Sequence, residues 1–293
     1  MTLILKQLTL ALALAGLPTL VHAAGTEVLT TLPVTHSLAQ ALVDGTSVQL
    51  KRAAPANLPA TRQPSYFSGR GGASLHKAAQ QADVVIGVRS IWRDDPLYPM
   101  ARRSNIRIVE IDAARPVDGA LPGIAVKGED AFAAYPWLNP TNLGRMADVV
   151  ANDLERLSPE DKPKIQANLA GLKRQLLTLA AEAQSQLAEV DNLSVVSLSE
   201  RLGYLASGLN LDVVEQPLPA DDTWGEAELK ALGDTLKAQD VALVLHHRQP
   251  APAVVDAIEA AGARVLVLDS DPEDTFAGLK ANVEQVVAAL RQG

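Results

Sequence analysis

One long stretch, residues 158–190, carries the clearest hydrophobic pattern in the chain. Apolar residues recur there at steps of three or four, at Ile165, Leu169, Leu172, Leu176, Leu179, Ala183 and Leu187. This spacing places one apolar stripe along a single face of an α-helix of about 40 Å. Because proline is tolerated only in the first turn, Pro163 predicts that regular helix begins near Asp161 or Lys162. Ser158 and Asp161 have the spacing of a capping box.

Short β-branched runs alternate with helical patterns on either side of this helix. Before it, we expect strands at 27–33, 47–52, 83–88 and 106–111, and helices at 36–42, 75–82 and 139–157. After it, we expect strands at 193–198, 211–215, 241–245 and 264–269, and helices at 200–209, 225–239, 252–261 and 277–291. Residues 53–72, which are rich in Pro, Gly, Ser and Arg, predict a long loop. The predicted fold is α/β: two doubly wound lobes with parallel sheets, joined by one long backbone helix.

The first residues have the features of a secretory signal peptide. Lys6 is followed by an apolar run over 8–20 and by small residues around Ala23. That run is too short for a normal membrane span, and the absence of cysteine excludes a lipid anchor. We therefore expect a soluble periplasmic protein without membrane insertion after cleavage. The predicted organisation is a signal peptide at 1–24, an N-terminal lobe at 25–157, a linking helix at 158–190 and a C-terminal lobe at 191–293.

Composition narrows the function further. The chain has 293 residues, 47% of them hydrophobic, and a formal net charge of −8 at pH 7. An acidic chain without a basic run argues against nucleic acid as a partner. Lack of cysteine excludes disulfides, thiolate catalysis and cysteine-based metal sites. Nucleotide-binding and hydrolase motifs are also absent, and no nucleophile–base pair stands out, so we expect a protein that is not an enzyme. We also expect it to be a monomer.

Polar side chains follow two predicted strands of the second half. His246 and His247 end one strand, and Asp269 ends the next. Because parallel strands bind ligands at their carboxyl ends, these side chains predict a common site. Imidazole and carboxylate without thiolate suit zinc or manganese. The other interpretation is a loop histidine beside a helix-capping aspartate.

Several segments resemble, in chain order, the periplasmic zinc/manganese solute-binding proteins of ABC importers. The chain segments are LPVTHSL at 32–38, ADVVIGV at 82–88, PWLNP at 136–140, ERLGYLASGL at 200–209, the stretch 244–255 and VLVLD at 265–269. Taken in the same order, these six segments resemble the family's opening strand and helix, its ADLVVWVG strand, its DPHVWLDP motif, its HDAFGYLARRYGL helix, its VFAEPQFRPAVV segment and its VLDP strand. The resemblance implies two α/β lobes joined by a long helix, a metal held between them, and partnership with a permease and its ATPase.

Most ligand positions of that family are substituted in this chain. The first family ligand is a histidine in the loop before the ADLVVWVG strand, and residues 54–72 contain none. The second falls on Tyr135, and the third falls on Ser199, with Glu200 adjacent. The fourth, a carboxylate, is retained as Asp269. His247 stands where the family has the glutamate of AEPQ.

Three interpretations follow. In the first, His246, His247, Asp269 and Glu200 form a shifted site for a zinc or manganese ion as cargo. In the second, the cargo is a metal–chelator complex or a small anionic solute. Tyr135 and Ser199 suit such a cargo, as do the loop arginines Arg62 and Arg70. His36, at the start of the first helix, is a further candidate for the pocket wall. In the third, the protein is an accessory or interaction protein without a small ligand.

Overall fold

The computed structural model describes residues 25–116, 121–126, 131–219 and 223–292, so the predicted signal peptide at 1–24 lies outside the described residues. Two four-stranded parallel sheets are present in the described chain. The first has the order β2-β1-β3-β4, with β1 Glu27–Thr30, β2 Gln49–Arg52, β3 Val84–Gly87 and β4 Val109–Asp112. The second has the order β6-β5-β7-β8, with β5 Ser194–Ser197, β6 Asp212–Val214, β7 Leu243–His246 and β8 Arg264–Val267. The prediction of two doubly wound parallel sheets is confirmed.

The helices surround these sheets and separate them along the chain. The first lobe carries α1 Pro33–Val43, α2 Gln63–Ser68, α3 Gly72–Gln81, α4 Leu97–Arg102 and α5 Pro140–Leu157. The long helix α6 spans Lys162–Leu187. The second lobe carries α7 Gly203–Gly208, α8 Glu226–Ala238, α9 Pro252–Ala260 and α10 Thr275–Leu290. Within the described ranges, no helix combines the length and apolar character needed to cross a membrane.

Strand burial follows strand position in each sheet. The inner strands β3 and β7 are buried along their whole length, whereas the edge strand β2 alternates exposed and half-buried residues. Inner strands covered by helices on both faces carry continuous apolar runs such as VVI and LVL. An edge strand needs only one buried face.

The long helix α6 buries the predicted stripe. Ile165, Leu172, Leu176, Ala183 and Leu187 are buried, and Leu169 and Leu179 are partly buried against the same core. The helix packs on α1 and α5 of the first lobe and on α10 of the second. A 3-10 turn at Pro159–Asp161 precedes it, so the start inferred from Pro163 is confirmed.

The predicted capping box at the start of α6 is wrong. Neither Ser158 nor Asp161 makes a side-chain cap bond. The Asp161 carboxylate instead accepts hydrogen bonds from Ser47 N at 3.1 Å and Ser47 Oγ at 2.7 Å. The Ser158 hydroxyl lies 2.5 Å from Thr26 Oγ1. These side chains tie the start of the helix to the first sheet.

Other expected elements need correction as well. The segment 53–72 is not a loop throughout, because it contains a 3-10 turn at Ala60–Arg62 and helix α2. Helix α4 was not predicted; like α2 it has only six residues, too few for a 3.6-residue period to show. The first strand ends at Thr30 and not at 33. Pro33 begins α1, where its missing N–H has no helical partner to lose.

Asp95 is a buried carboxyl that holds the chain after β3. It is 1% exposed and accepts hydrogen bonds from Val88 N at 3.1 Å and Leu97 N at 3.0 Å. Burial raises the pKa of Asp95, the two backbone donors oppose that shift, and the negative charge of Asp112 adds to it. The carboxyl also explains Gly87, because a Cβ there would lie 2.6 Å from Asp95 Oδ2.

The first prediction concerns two adjacent leucines of α6. Leu176 is 7% exposed and faces Gly144 of α5, whereas Leu177 is 68% exposed. We expect Leu176→Ala to lower the free energy of unfolding by about 2–4 kcal/mol, because it leaves a cavity. The matched control, Leu177→Ala, should change it by less than about 0.5 kcal/mol. Urea denaturation measures both, and equal losses would contradict the assigned helix face.

The second prediction concerns the pH dependence of stability. Because the folded-state pKa of Asp95 is raised, the folded chain binds this proton more tightly than the unfolded chain. Its contribution is therefore fully favourable below the unfolded pKa of about 3.9 and is lost as pH rises through the folded pKa. We expect Asp95→Asn to flatten the fall in unfolding free energy above about pH 4. Denaturation at several pH values tests this, and equal slopes for the wild-type and Asp95→Asn proteins would contradict it.

Candidate functional site

The carboxyl ends of the two sheets face each other. Arg52, the last residue of β2, places Nη1 3.5 Å from Oε1 of Glu273, which lies after β8. The guanidinium of Arg201, which follows β5, lies 4.9 Å from the ring centre of Tyr135 in the first lobe. Doubly wound sheets bind ligands beyond these ends. The contacts between lobes therefore define the candidate site.

Tyr135 lies where the two lobes meet, against Arg201. It is 7% exposed, and its ring stacks on Trp137 at 4.7 Å between centroids. Its backbone is left-handed, with φ 50° and ψ 63°, which is unusual for an aromatic residue and is typical of functional sites. Burial raises the pKa of the Tyr135 hydroxyl, the negative charge of Asp271 adds to the rise, and Arg201 opposes it.

The 3-10 turn Glu200–Leu202 decides which side chain after β5 faces the first lobe. The predicted ligand Glu200 is exposed, whereas Arg201 is half-buried over Tyr135 and donates from Nη1 to Ser270 Oγ at 3.4 Å. Ser199 is 5% exposed, and its carbonyl accepts a hydrogen bond from Ser197 Oγ at 2.7 Å. The turn therefore presents a cation to the cleft where the sequence suggested a carboxylate.

The histidine pair lies at the end of β7. His246 is 3% exposed, and its Nδ1 accepts from Arg248 N at 3.2 Å. His247 is half-buried, and the two ring centres are 4.8 Å apart. Because the strand ends at His246, the rings approach each other instead of pointing to opposite faces.

Two carboxylates follow β8. Asp269 is exposed, and its Oδ1 accepts from Asp271 N at 3.0 Å, so it closes a local turn and does not cap a helix. The helix cap is Asp274, which accepts from the backbone of α10. Partial burial of the Asp271 carboxyl raises its pKa, although the residue as a whole is exposed; Arg201 and Arg52 oppose the rise and Asp269 adds to it. Both guanidinium groups thus lie within electrostatic range of one carboxylate.

His36 lies beside Arg52. Its Nδ1 is 2.9 Å from Thr30 Oγ1, and it lines an open cavity of about 580 Å³ between α1, α6 and the start of α10. Burial lowers the pKa of His36, the charge of Arg52 lowers it further, and Glu273 acts in the opposite direction. The neutral form of His36 is therefore favoured beside the guanidinium of Arg52.

The predicted and observed site residues overlap only in part. Arg62 and Arg70 are exposed, and the Arg70 guanidinium lies over the Tyr66 ring at 5.4 Å. The structure brings Arg52 and Arg201 to the cleft, and neither was predicted as a site residue. Only their positions in the sequence could have indicated a place in the cleft, because each stands at or just after the carboxyl end of an expected strand.

The proposed ion ligands are not assembled. Within the described ranges, no three His, Asp or Glu side chains come together in a group that could hold a metal ion. The set His246, His247, Asp269 and Glu200 is therefore not a ready-made metal site in this conformation, and the role of these residues as ligands stays a prediction.

Comparison with known proteins gives one family. The family model described as ZnuA, zinc-uptake complex component A, periplasmic, matches residues 28–289. Curated protein sequences give no match. The chain therefore belongs to the ZnuA family of periplasmic solute-binding transport components, and the resemblance inferred from its motifs is confirmed.

Solved structures show the same fold. A zinc-bound deletion mutant of ZnuA aligns with a TM-score of 0.67 at 22% identity, over 90% of this chain and 98% of that one. A mutant of FpvC from Pseudomonas aeruginosa aligns with a TM-score of 0.72 at 19% identity, over 91% and 100%. The laminin-binding protein Lmb of Streptococcus agalactiae, described as an adhesin with metal-transporting activity, aligns with a TM-score of 0.68 at 18% identity, over 91% and 99%.

Proposed function

We propose that this protein is the periplasmic solute-binding component of an ABC importer, which captures a divalent metal, zinc or manganese, between its lobes and delivers it to a permease. The observation that carries the proposal is the meeting of the two carboxyl edges, where Arg201 covers Tyr135 and Arg52 reaches Glu273. Membership of the zinc-uptake family supports a metal as cargo. FpvC, which has the same fold, has been solved with nickel and with manganese.

In this proposal each part of the chain has one role. Residues 1–24 direct export and are removed, and the lobes at 25–157 and 191–293 form the walls of the cleft. The helix at 158–190 holds those walls together. The mature protein acts as a monomer that docks on the permease, whose ATPase drives import. We assign no catalytic step to it.

For a bare ion, we propose His247 and Asp269 as the principal ligands, with His246 and Glu200 completing the site. Neutral imidazole and carboxylate match the preferences of zinc and manganese. Both principal residues follow neighbouring strands of the second sheet, since β7 pairs with β8. Glu200 would have to turn inward from its exposed position, so ion capture in this form requires a local rearrangement.

A second candidate cargo is a metal–chelator complex or a small anionic solute, and the two cleft arginines favour it. A guanidinium repels a bare cation and binds carboxylate or phosphate oxygens through its forked donors. By the resemblance, Tyr135 stands where the family has a histidine ligand and Ser199 where it has a histidine or a glutamate, and Arg201 lies against Tyr135. A cargo that brings its own anionic ligands needs fewer ligands from the protein.

The third prediction tests metal capture. Mature protein purified from its own periplasm should retain near-stoichiometric zinc or manganese, measured by inductively coupled plasma mass spectrometry. We expect His247→Ala combined with Asp269→Ala to weaken binding of a bare ion by about 100-fold or more, since losing even an outer-shell partner costs about 10- to 100-fold. The control is His76→Ala, because His76 is exposed and bonded to Ser104 on the surface of the first lobe.

The form of the cargo is decided by equilibrium dialysis with zinc or manganese alone and with each metal in the presence of citrate. Binding of free ions that the double substitution abolishes supports the histidine–aspartate site. Binding only of the citrate complex supports the chelate. If neither form binds and none is retained from the host, the metal-import proposal is refuted.

A further inference from the structure

We propose that the carboxyl edge of the first sheet is a subsite for a small hydroxycarboxylate, anchored by Arg52 with Gln63 and Thr31. The inference deepens the proposed solute-binding role and rests on it. It assigns the chemical class of the group that the first lobe recognises: a carboxylate that carries a neighbouring hydroxyl.

Arg52 is a half-buried cation whose guanidinium donors make no hydrogen bond in the described chain. Its side chain is 12% exposed, and Nε, Nη1 and Nη2 are buried with no hydrogen-bond partner in the described chain. Its ionic contact with Glu273 is 3.5 Å long, and the Glu273 side chain is 78% exposed. A solvent-screened carboxylate at that distance compensates little of the cost of burying a guanidinium. An anion that enters the cleft would supply the missing acceptors.

Gln63 and Thr31 also carry buried polar atoms without a hydrogen-bond partner in the described chain. Gln63, the first residue of α2, is 0% exposed, and neither its Oε1 nor its Nε2 has a hydrogen-bond partner in the described chain. Thr31, the first residue after β1, is 2% exposed, and its Oγ1 is likewise buried and unbonded there.

The backbone brings Arg52 and Thr31 to the same end of the sheet, and Gln63 opens α2, the first α-helix after β2. β1 and β2 pair in parallel with Thr30 opposite Arg52, and Ala53 N donates to Thr30 O at 2.8 Å. Thr31 therefore leaves the sheet beside Arg52, and the chain that continues from β2 leads to Gln63. Folded proteins leave few buried polar groups unsatisfied, so three such side chains on and after two neighbouring strands point to a ligand.

The donor and acceptor pattern defines the ligand class. A guanidinium offers forked N–H donors that match a carboxylate. The Gln63 amide offers two donors and one acceptor, and the Thr31 hydroxyl can serve in either role. The acceptor Oε1 needs a donor from the ligand, which a hydroxyl supplies and a simple carboxylate lacks. The donor groups have nothing to offer a bare metal ion, so a metal bound here would arrive with the hydroxycarboxylate as its chelator.

Calorimetric titration of metal-free mature protein tests the subsite, with malate and succinate as probes. These dicarboxylates differ by one hydroxyl. We expect malate to bind more tightly than succinate by about five- to tenfold, the value of one hydrogen bond. Arg52→Lys keeps the positive charge but loses the forked guanidinium donors. It should weaken the binding of malate and of succinate by about tenfold or more. Arg70→Lys, at an exposed arginine, is the matched control and should leave both affinities unchanged.

Gln63→Leu separates recognition from folding. Because it replaces a buried amide that has no partner, it should leave the melting temperature unchanged or raise it. At the same time it should abolish the preference for malate over succinate. A lower melting temperature with the preference retained would show that Gln63 is structural and would overturn its place in the subsite.

Further titrations distinguish the free ligand from its metal complex, and they test the subsite independently of the import proposal. Tighter binding of zinc citrate than of citrate identifies the complex as the ligand, and equal binding identifies the free acid. Binding of malate without any metal response supports the subsite and refutes metal import. Metal binding with no response to malate, succinate or citrate overturns the subsite and leaves metal import standing. Equal binding of sulfate and malate would likewise overturn it, since sulfate has no hydroxyl to donate.

Discussion

Burial of one hydrophobic stripe is the constraint on which the rest of the structure depends. Helix α6 presents its apolar face to α1 and α5 of one lobe and to α10 of the other. Asn168 adds a polar tie through hydrogen bonds to the carbonyls of Leu42 and Asp44, both at 2.9 Å. Because both lobes dock on the same rod, the spacing between their sheet edges follows from the length and register of that helix. The contacts between Arg52 and Glu273, and between Arg201 and Tyr135, are consequences of this spacing.

The two lobes repeat one topology, and the repeat explains where polar residues collect. In each sheet the chain starts on an inner strand, moves to an edge, and returns across its start. The loops after the first and third strands of each lobe therefore diverge and leave a crevice at the carboxyl edge. Thr31 and His36 follow such a strand in the first lobe, and Arg201 follows the equivalent strand in the second. The fold brings these crevices together, and the residues that line them determine what can bind there.

The parts of the fold that follow from local pattern were predictable, and those that depend on distant contacts were not. The stripe of α6 and its start after Pro163 needed only helical periodicity and proline stereochemistry. Arg52 could not be singled out, because in the sequence it is one basic residue beside another in an edge strand. Its contact with Glu273 joins residues 221 positions apart in the chain, the difference between the two residue numbers, so no local pattern shows it. Glu200 was favoured over Arg201 because carboxylates suit metals, but a 3-10 turn places the arginine inward.

The charge arrangement in the cleft bears on which of the two proposed cargo forms it would favour. Arg201 and Arg52 both act on Asp271, where they oppose the rise that burial causes in the pKa of its carboxyl. A bare divalent ion would have to compete with these guanidinium groups for the carboxylate and would feel their repulsion. A chelated metal meets no such competition, since its own anionic groups replace Asp271 as partners of the arginines. Under the proposed function, the same arginines would weaken a site for a bare ion and strengthen a site for a chelate.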